Sequence, residues 1–322
     1  MYGLVGFEMC IRYRFKGTDE IGTLDWESEK ALLDKISNLF EDHRSTSDPE
    51  EKKAIYGQID SLSQLASAYV APNEYDKLVS SLGAKRTNAG TSYESTVYMN
   101  DIPRNEFEKW LRLESERFND IVLRLLHTEL ETVYEEFNMY QDMDRSRASN
   151  ALFEGLFPNH PYGRDVIGLP EHLKNPSMVN IYNFANTWYR PNNMAIAIAG
   201  DMDLDESIVL IDKYFGPMEP NPDLPVIEQP VETPITEPVV KEVVGPDAES
   251  MSLAFRLGGD NSLDHKFATI IDMILSNSQA GLIDINLNQK QKVLRAGSYA
   301  YFMRDYGIHN FYGQPREGQT LE

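Results

Sequence analysis

Cysteine and positive charge are both scarce in this chain of 322 residues. It has one cysteine, Cys10, and 30 lysine and arginine residues against 51 aspartate and glutamate residues, which gives a formal net charge of −21. A single cysteine excludes an internal disulfide and any zinc cluster built from cysteines. The excess of negative charge argues against a protein that binds nucleic acids or anionic membranes, because both need a basic surface.

Long hydrophobic runs are missing as well. No apolar stretch approaches the roughly 20 residues that a membrane-spanning helix needs, and charged residues interrupt Met1–Gly17, where a signal peptide would have its apolar core. Hydrophobic residues still make up 41% of the chain and aromatic residues 11%, which excludes a wholly disordered protein. We therefore expect a folded protein of about two domains that is not inserted in a membrane.

Most familiar catalytic motifs are also absent. The sequence contains no HExxH or HxxEH pair of histidines, no GxSxG and no phosphate-binding glycine loop. Its six histidines are isolated from one another, and each is expected to be a surface or packing residue: His43, His127, His160, His172, His265 and His309.

One acidic cluster has side chains that can bind a metal ion. Glu129 and Glu136 lie seven residues apart in a segment with helical periodicity, so both carboxylates project from one face of the helix. Two carboxylates in this arrangement can supply a metal ligand and a partner that orients it. A solvated acidic helix face explains the same spacing, and the spacing alone favours this second interpretation.

Periodicity divides the chain into segments. Residues 25–70 have the spacing of two antiparallel helices, and Asp48, Pro49 and Glu51 form a start signal for the second helix. Further helices are predicted over 105–143, 204–215, 263–275 and 280–291, and strands over 87–98, 194–200, 250–257, 294–304 and 308–315. Seven prolines between Pro217 and Pro238 predict an extended linker.

Several segments together resemble the insulinase/pitrilysin family of inverted zinc metallopeptidases. FKGT at 15–18 is similar to the sequence that follows the family's HxxEH helix, and NAGTSYESTVY at 88–98 is similar to its NAxTxxExTxY strand. Other segments resemble further family signatures: HPYG at 160–163, YRPNNM at 189–194 with AGD at 199–201, and LIDINLNQK at 282–290. The resemblance covers nearly the whole chain, and the helical hairpin resembles an insertion carried by some bacterial members.

The resemblance implies an α+β fold, in which helices pack on a mixed β-sheet, with zinc as the family's cofactor and peptide-bond hydrolysis as its reaction. It implies that Glu136 occupies the zinc-ligand position and that Glu129 orients it. It also places Asn88 and Ala89 on the edge strand along which family substrates bind as an added β-strand. The implied partners are a peptide or unfolded polypeptide and a second peptidase-like domain or subunit that faces the first across a chamber.

The start of the chain departs from the family pattern. Counting back from Phe15, the two histidine ligands should stand at positions 8 and 12 and the catalytic base at position 11, but these positions hold Glu8, Arg12 and Ile11. Such a site loses both imidazoles and gains a guanidinium that repels a cation, and isoleucine cannot accept a proton. We therefore expect neither zinc binding nor hydrolysis by the chain as written.

Two explanations of this start remain open. In the favoured one, the chain is a fragment of an active peptidase with a damaged or misplaced start, and export of the intact parent to the periplasm is compatible with it. In the other, it is a non-catalytic homologue that holds substrates or partners. The expected domains are a peptidase-like domain over 1–216 with an outward-projecting helical insertion at about 25–82, a proline-rich linker over 217–245, and part of a second similar domain over 246–322.

Overall fold

The computed structural model describes residues 22–70, 74–119, 121–124 and 126–321. The chain forms two compact units: unit 1 comprises 1–138 and 165–228, and unit 2 comprises 139–164 and 229–322. Helices and small antiparallel sheets occur in both, so the expected α+β class is confirmed. Among the described helices, none is both long and apolar enough to cross a bilayer.

The described elements follow in chain order. The helices are α1 (Trp26–Ser45), α2 (Pro49–Ser67), α3 (Glu74–Ser81), α4 (Phe107–Asn119), α5 (Leu126–Gln141), α6 (Asp144–Leu156), α7 (Pro170–Lys174), α8 (Met178–Trp188), α9 (Leu204–Phe215) and α10 (Leu263–Leu275). The strands are β1 (Lys85–Thr91), β2 (Thr96–Asp101), β3 (Met251–Gly258), β4 (Arg295–Phe302) and β5 (Tyr306–Gln314). Strands β1 and β2 pair in unit 1, and the sheet of unit 2 has the order β3-β5-β4.

Helices α1 and α2 form the antiparallel hairpin that the sequence predicts. The carboxylate of Asp25 accepts a hydrogen bond from the backbone N–H of Ser28 at 3.2 Å and so caps α1. Asp48 caps α2 in the same way, with two first-turn N–H groups at 2.9 and 3.4 Å from its side chain. These caps satisfy backbone donors that have no partner within the helix, which explains why each helix begins where it does.

The hairpin does not project outward as expected, because it forms one wall of the core of unit 1. Ile59 of α2 is 0% exposed and Phe40 of α1 is 2% exposed. Apolar stripes on both helices pack against α5, α7 and α8, and burying such a stripe is what stabilises an amphipathic helix. The core comprises Ile36, Phe40, Ile55, Ile59, Ala66, Leu123, Leu126, Leu130, Val133, Ile167, Leu173 and Met178.

In unit 2, a buried polar cluster surrounds the HPYG motif. His160 is 2% exposed, and its Nδ1 accepts a hydrogen bond from the backbone N–H of Tyr162 at 3.3 Å. The other ring nitrogen, Nε2, lies 3.5 Å from the carboxylate of Asp305. The backbone N–H of His160 donates to Glu232 at 2.7 Å, and Glu232 lies 3.4 Å from the guanidinium of Arg256. The proline-rich segment is therefore anchored within unit 2 at Glu232.

The structure also corrects several predicted elements. The described strands pair only antiparallel, in two separate sheets, rather than in one mixed sheet. The helical run over 105–143 is divided into α4 and α5, and the predicted strand over 194–200 has no strand partner in the described chain. The predicted helix over 280–291 is mostly replaced by a short π-helix, Asp284–Asn288. The domain boundaries at 216 and 245 stay a prediction.

Candidate peptide-binding site

Helix α5 carries the two carboxylates that the sequence singled out. Glu129 and Glu136 are both half-buried, whereas Glu131 and Glu135 on the same helix are exposed. This difference follows from the spacing, because residues seven apart return to the same side of a helix while their neighbours do not. The roles of Glu136 as a zinc ligand and of Glu129 as its orienting neighbour stay predictions.

The residues that the structure describes do not make a complete zinc centre. Within those ranges, no group of three or more histidine, cysteine, aspartate or glutamate side chains is placed to hold a metal ion. A catalytic zinc site needs three protein ligands and an open position. The predicted motif positions Glu8, Ile11 and Arg12 lie outside the described residues. The donor set offered by α5 alone therefore does not fit zinc.

Strands β1 and β2 form a hairpin with two different faces. Side chains alternate along β1, so Asn88 is exposed while Ala89 is half-buried. Asn88 lies opposite Met99 and Ala89 lies opposite Tyr98 in the antiparallel register. Val97 and Met99 are 49% and 48% exposed, and they share the exposed face with Asn88. The predicted substrate residues thus lie on adjacent positions of one strand, beside an apolar strip open to solvent.

A buried polar network supports the inner face of this hairpin. Tyr75 of α3, 2% exposed, donates its hydroxyl to Glu114 of α4 at 2.6 Å. The Tyr75 oxygen accepts a hydrogen bond from the side-chain amide of Asn100 of β2 at 3.2 Å. The amide oxygen of Asn100 accepts a hydrogen bond from the hydroxyl of Thr87 of β1 at 2.9 Å. Three hydrogen bonds therefore connect a buried carboxylate to the strand that carries Asn88.

Arg117 completes the network on α4. It is 0% exposed and donates to Glu114 one turn earlier on the helix. Its guanidinium carbon lies 5.0, 4.4 and 4.2 Å from the ring centres of Tyr75, Tyr98 and Phe118. Contacts with ring faces are favourable for a desolvated guanidinium because the ring faces carry partial negative charge.

Burial also fixes the protonation state of Tyr75. It raises the pKa of the Tyr75 phenol far above its ordinary range, and the carboxylate of Glu114 adds to the rise while the Arg117 charge opposes it. The phenol therefore keeps its proton at any physiological pH and remains a hydrogen-bond donor to Glu114.

The sequence reasoning missed this network, although a signal for it was present. Glu114 and Arg117 fall on the same side of α4 as Leu111 and Phe118, where helical periodicity calls for apolar residues. Charged residues on an apolar stripe, spaced to pair with each other, indicate a buried ion pair. Tyr75 and Thr87 carry no such signal, because their contacts depend on the tertiary fold.

Two family models match consecutive stretches of the chain. The model described as Insulinase (Peptidase family M16) matches residues 59–169, and the model described as Peptidase M16 inactive domain matches residues 179–322. Together the two matches span most of the sequence.

Relatives and solved structures agree with these matches. An uncharacterized zinc protease of Mycobacterium leprae is 30% identical over 135 residues, which are 40% of this chain and 29% of that protein. The crystal structure of a protease from Helicobacter pylori has a TM-score of 0.63 at 20% identity and covers 76% of this chain and 61% of that one. The ferredoxin protease FusC, solved in complex with Arabidopsis ferredoxin, has a TM-score of 0.57 at 19% identity and covers 76% of this chain and 29% of that one.

The matches cover only part of each relative, which limits what the relatives say about this chain. The chain spans less than two thirds of the length of the relatives it matches, and the likeness to the solved structures shows the fold. Two models of one family match in succession, relatives are named zinc proteases, and the HPYG and strand β1 motifs lie within the stretch that the Insulinase model matches. The chain belongs to the insulinase family of zinc peptidases, peptidase family M16.

Proposed function

We propose that this polypeptide binds extended polypeptides along strand β1 and does not hydrolyse them. One observation carries the proposal. Counted back from the resemblance at Phe15, the positions expected to hold two zinc ligands and a catalytic base carry Glu8, Arg12 and Ile11, while the candidate binding strand with Asn88 and Ala89 keeps the family pattern.

The argument against hydrolysis is chemical. A peptidase zinc ion needs neutral imidazoles or carboxylates around it, and the guanidinium of Arg12 is always protonated and repels a cation. A general base must accept a proton from the attacking water, which the hydrocarbon side chain of Ile11 cannot do. Zinc is the cofactor of the family's named proteases, and we propose that this chain does not bind it.

The argument for binding rests on β1 and its exposed face. An extended peptide that adds a strand to a sheet is held by backbone hydrogen bonds, so the sequence of the peptide matters little. Val97 and Met99 of the neighbouring strand β2 form an apolar strip on the same exposed face as Asn88. The net charge of −21 favours basic or unfolded polypeptides as partners.

The class of partner is supported by one relative. FusC was solved with a protein, ferredoxin, bound to it, and we propose a polypeptide ligand of the same broad class for this chain. A second peptidase-like domain or subunit is also part of the proposal, because it would supply the opposite wall of a binding chamber.

Restoring the motif tests the missing chemistry. The triple variant Glu8→His, Ile11→Glu and Arg12→His recreates HxxEH, and we expect it to bind about one zinc ion per chain while the unchanged protein retains none after dialysis. Metal content measured by plasma mass spectrometry gives the answer without any activity assay.

The matched control adds Glu136→Gln to the triple variant, and this fourth change should lower the zinc affinity because it removes the third ligand. Stoichiometric zinc in the unchanged protein would contradict the proposal. A zinc affinity that Glu136→Gln leaves unchanged would contradict the ligand role of Glu136.

A further inference from the structure

We propose that Glu114, held in place by Arg117, is a positioning residue for strand β1 and acts through the hydrogen-bond chain that ends at Thr87. The inference rests on the proposed function, because β1 is the strand on which the polypeptide is proposed to bind. The hydrogen-bond chain passes through Tyr75 and Asn100, and so it joins helices α3 and α4 to both strands of the hairpin.

The negative charge of Glu114 determines which partner donates in each hydrogen bond of this series. An ionised carboxylate only accepts hydrogen bonds, so the Tyr75 hydroxyl must donate to it. With its proton committed, the Tyr75 oxygen accepts from the amide nitrogen of Asn100. The amide oxygen then faces Thr87, whose hydroxyl donates to it. Reversing any one of these bonds leaves one acceptor facing another, which costs free energy.

Arg117 supplies the counter-charge for this carboxylate in a buried setting. Glu114 is 3% exposed, and burying a charge is costly unless it is paired and hydrogen-bonded. A buried ion pair adds little net stability compared with apolar residues of the same volume. Its use here is better explained by orientation, since a fixed charge selects one arrangement of the donors and hence one position of the hairpin.

The hydrogen-bond chain meets β1 at an irregular part of the strand. Arg86 has a positive φ of 49°, and the pairing with β2 is irregular between Lys85 and Asn88. Thr87 lies within this irregular stretch, immediately before Asn88. A strand that is already ordered loses less conformational entropy when a peptide pairs with it, so the anchor at Thr87 strengthens peptide binding.

Interrupting the hydrogen-bond chain at Tyr75 tests the inference. Tyr75→Phe removes the middle hydroxyl, and we expect the Kd of the full-length protein for a fluorescein-labelled, unstructured peptide rich in lysine and valine to rise about fivefold, the effect of one hydrogen bond. Fluorescence anisotropy measures this Kd. The matched control is Tyr182→Phe, which removes a hydroxyl that accepts from the backbone N–H of Leu123 at 3.1 Å in the same unit, outside the chain.

A second variant keeps the test valid if Tyr75→Phe folds poorly. Thr87→Val removes the hydroxyl that donates to Asn100 and keeps the shape of the side chain, and it should weaken peptide binding in the same direction. If the unchanged protein does not bind the peptide, the proposed function is wrong. If it binds and Tyr75→Phe and Thr87→Val behave like Tyr182→Phe, the positioning role is wrong.

Discussion

At the scale of single residues, the partners of the buried His160 are what sequence reasoning could not place. His160 was identified as part of a motif, but as an isolated histidine it was expected to be a surface or packing residue. The structure shows it 2% exposed between Tyr162, Asp305 and the segment that carries Glu232. These partners come from distant parts of the sequence, so no local pattern could reveal them.

The environment of His160 gives unit 2 a pH dependence. Burial lowers the pKa of His160 below its ordinary value of 6.5, although Asp305 opposes the shift. The unfolded chain therefore takes up a proton more readily than the folded one, and the stabilisation is complete above pH 6.5 and declines as the pH falls below it. Arg304 and Asp305 at the β4–β5 turn and Glu232 on the proline-rich segment are the charged groups acting on the ring.

We expect the free energy of unfolding to fall between pH 7.5 and pH 5.5, and we expect His160→Gln to reduce this fall. Urea titrations followed by fluorescence measure it. The difference in the free energy of unfolding between the two proteins at pH 7.5 gives the effect of lost packing. Any further difference at lower pH then comes from titration. The pKa values of Glu232 and Asp305 are held below their ordinary values of 4.5 and 3.8, so their stabilisation is lost only at lower pH. An equal fall in both proteins would contradict the role of His160.

At the scale of elements, helices with strong local signals were predicted well and contacts between elements were not. The caps at Asp25 and Asp48 and the apolar stripes determine α1 and α2 locally. Whether those stripes face solvent or a core depends on residues far along the chain, such as Leu123 and Met178. The outward projection was therefore wrong although the hairpin itself was right.

Local hydrogen bonding explains the helix that was mispredicted over 280–291. The side-chain oxygen of Asn277 accepts from the backbone N–H groups of Gln279, Ala280 and Gly281, at 3.1, 2.8 and 3.1 Å. Asp284 accepts a further bond from the N–H of Asn277 at 2.9 Å. Polar side chains that bind nearby backbone groups compete with regular helix, and here they leave only the short π-helix.

A pair of substitutions on α2 tests whether the hairpin belongs to the core. Ile59→Ala should lower the free energy of unfolding by about 3 kcal/mol, because it leaves a cavity in a packed core. Leu65→Ala, on the same helix but 59% exposed, should change it by less than about 0.5 kcal/mol. Urea unfolding measures both values. Equal, small effects would indicate that the hairpin is not part of the core.

At the scale of the whole molecule, the family could be recognised from the sequence because its motifs are short and local. The grouping of the chain into units could not, because residues 139–164 fold with 229–322 across a long gap in sequence. The candidate strand with Asn88 and Ala89 was found from a motif, whereas the network behind it appears only once α3, α4 and β2 are brought together. The net charge of −21 also acts at this scale, and it is the reason why basic or unfolded polypeptides are proposed as partners.

Binding without hydrolysis is the central claim, and one titration tests it most directly. The labelled lysine- and valine-rich peptide is titrated with the unchanged protein in excess zinc and again in a chelator, and its mass is measured afterwards. We expect the same Kd in both conditions and an intact peptide, because the proposed binding uses the backbone of β1 and positions 8 and 12 carry no histidine. Binding that needs zinc, or a cleaved peptide in the zinc sample alone, would contradict the claim.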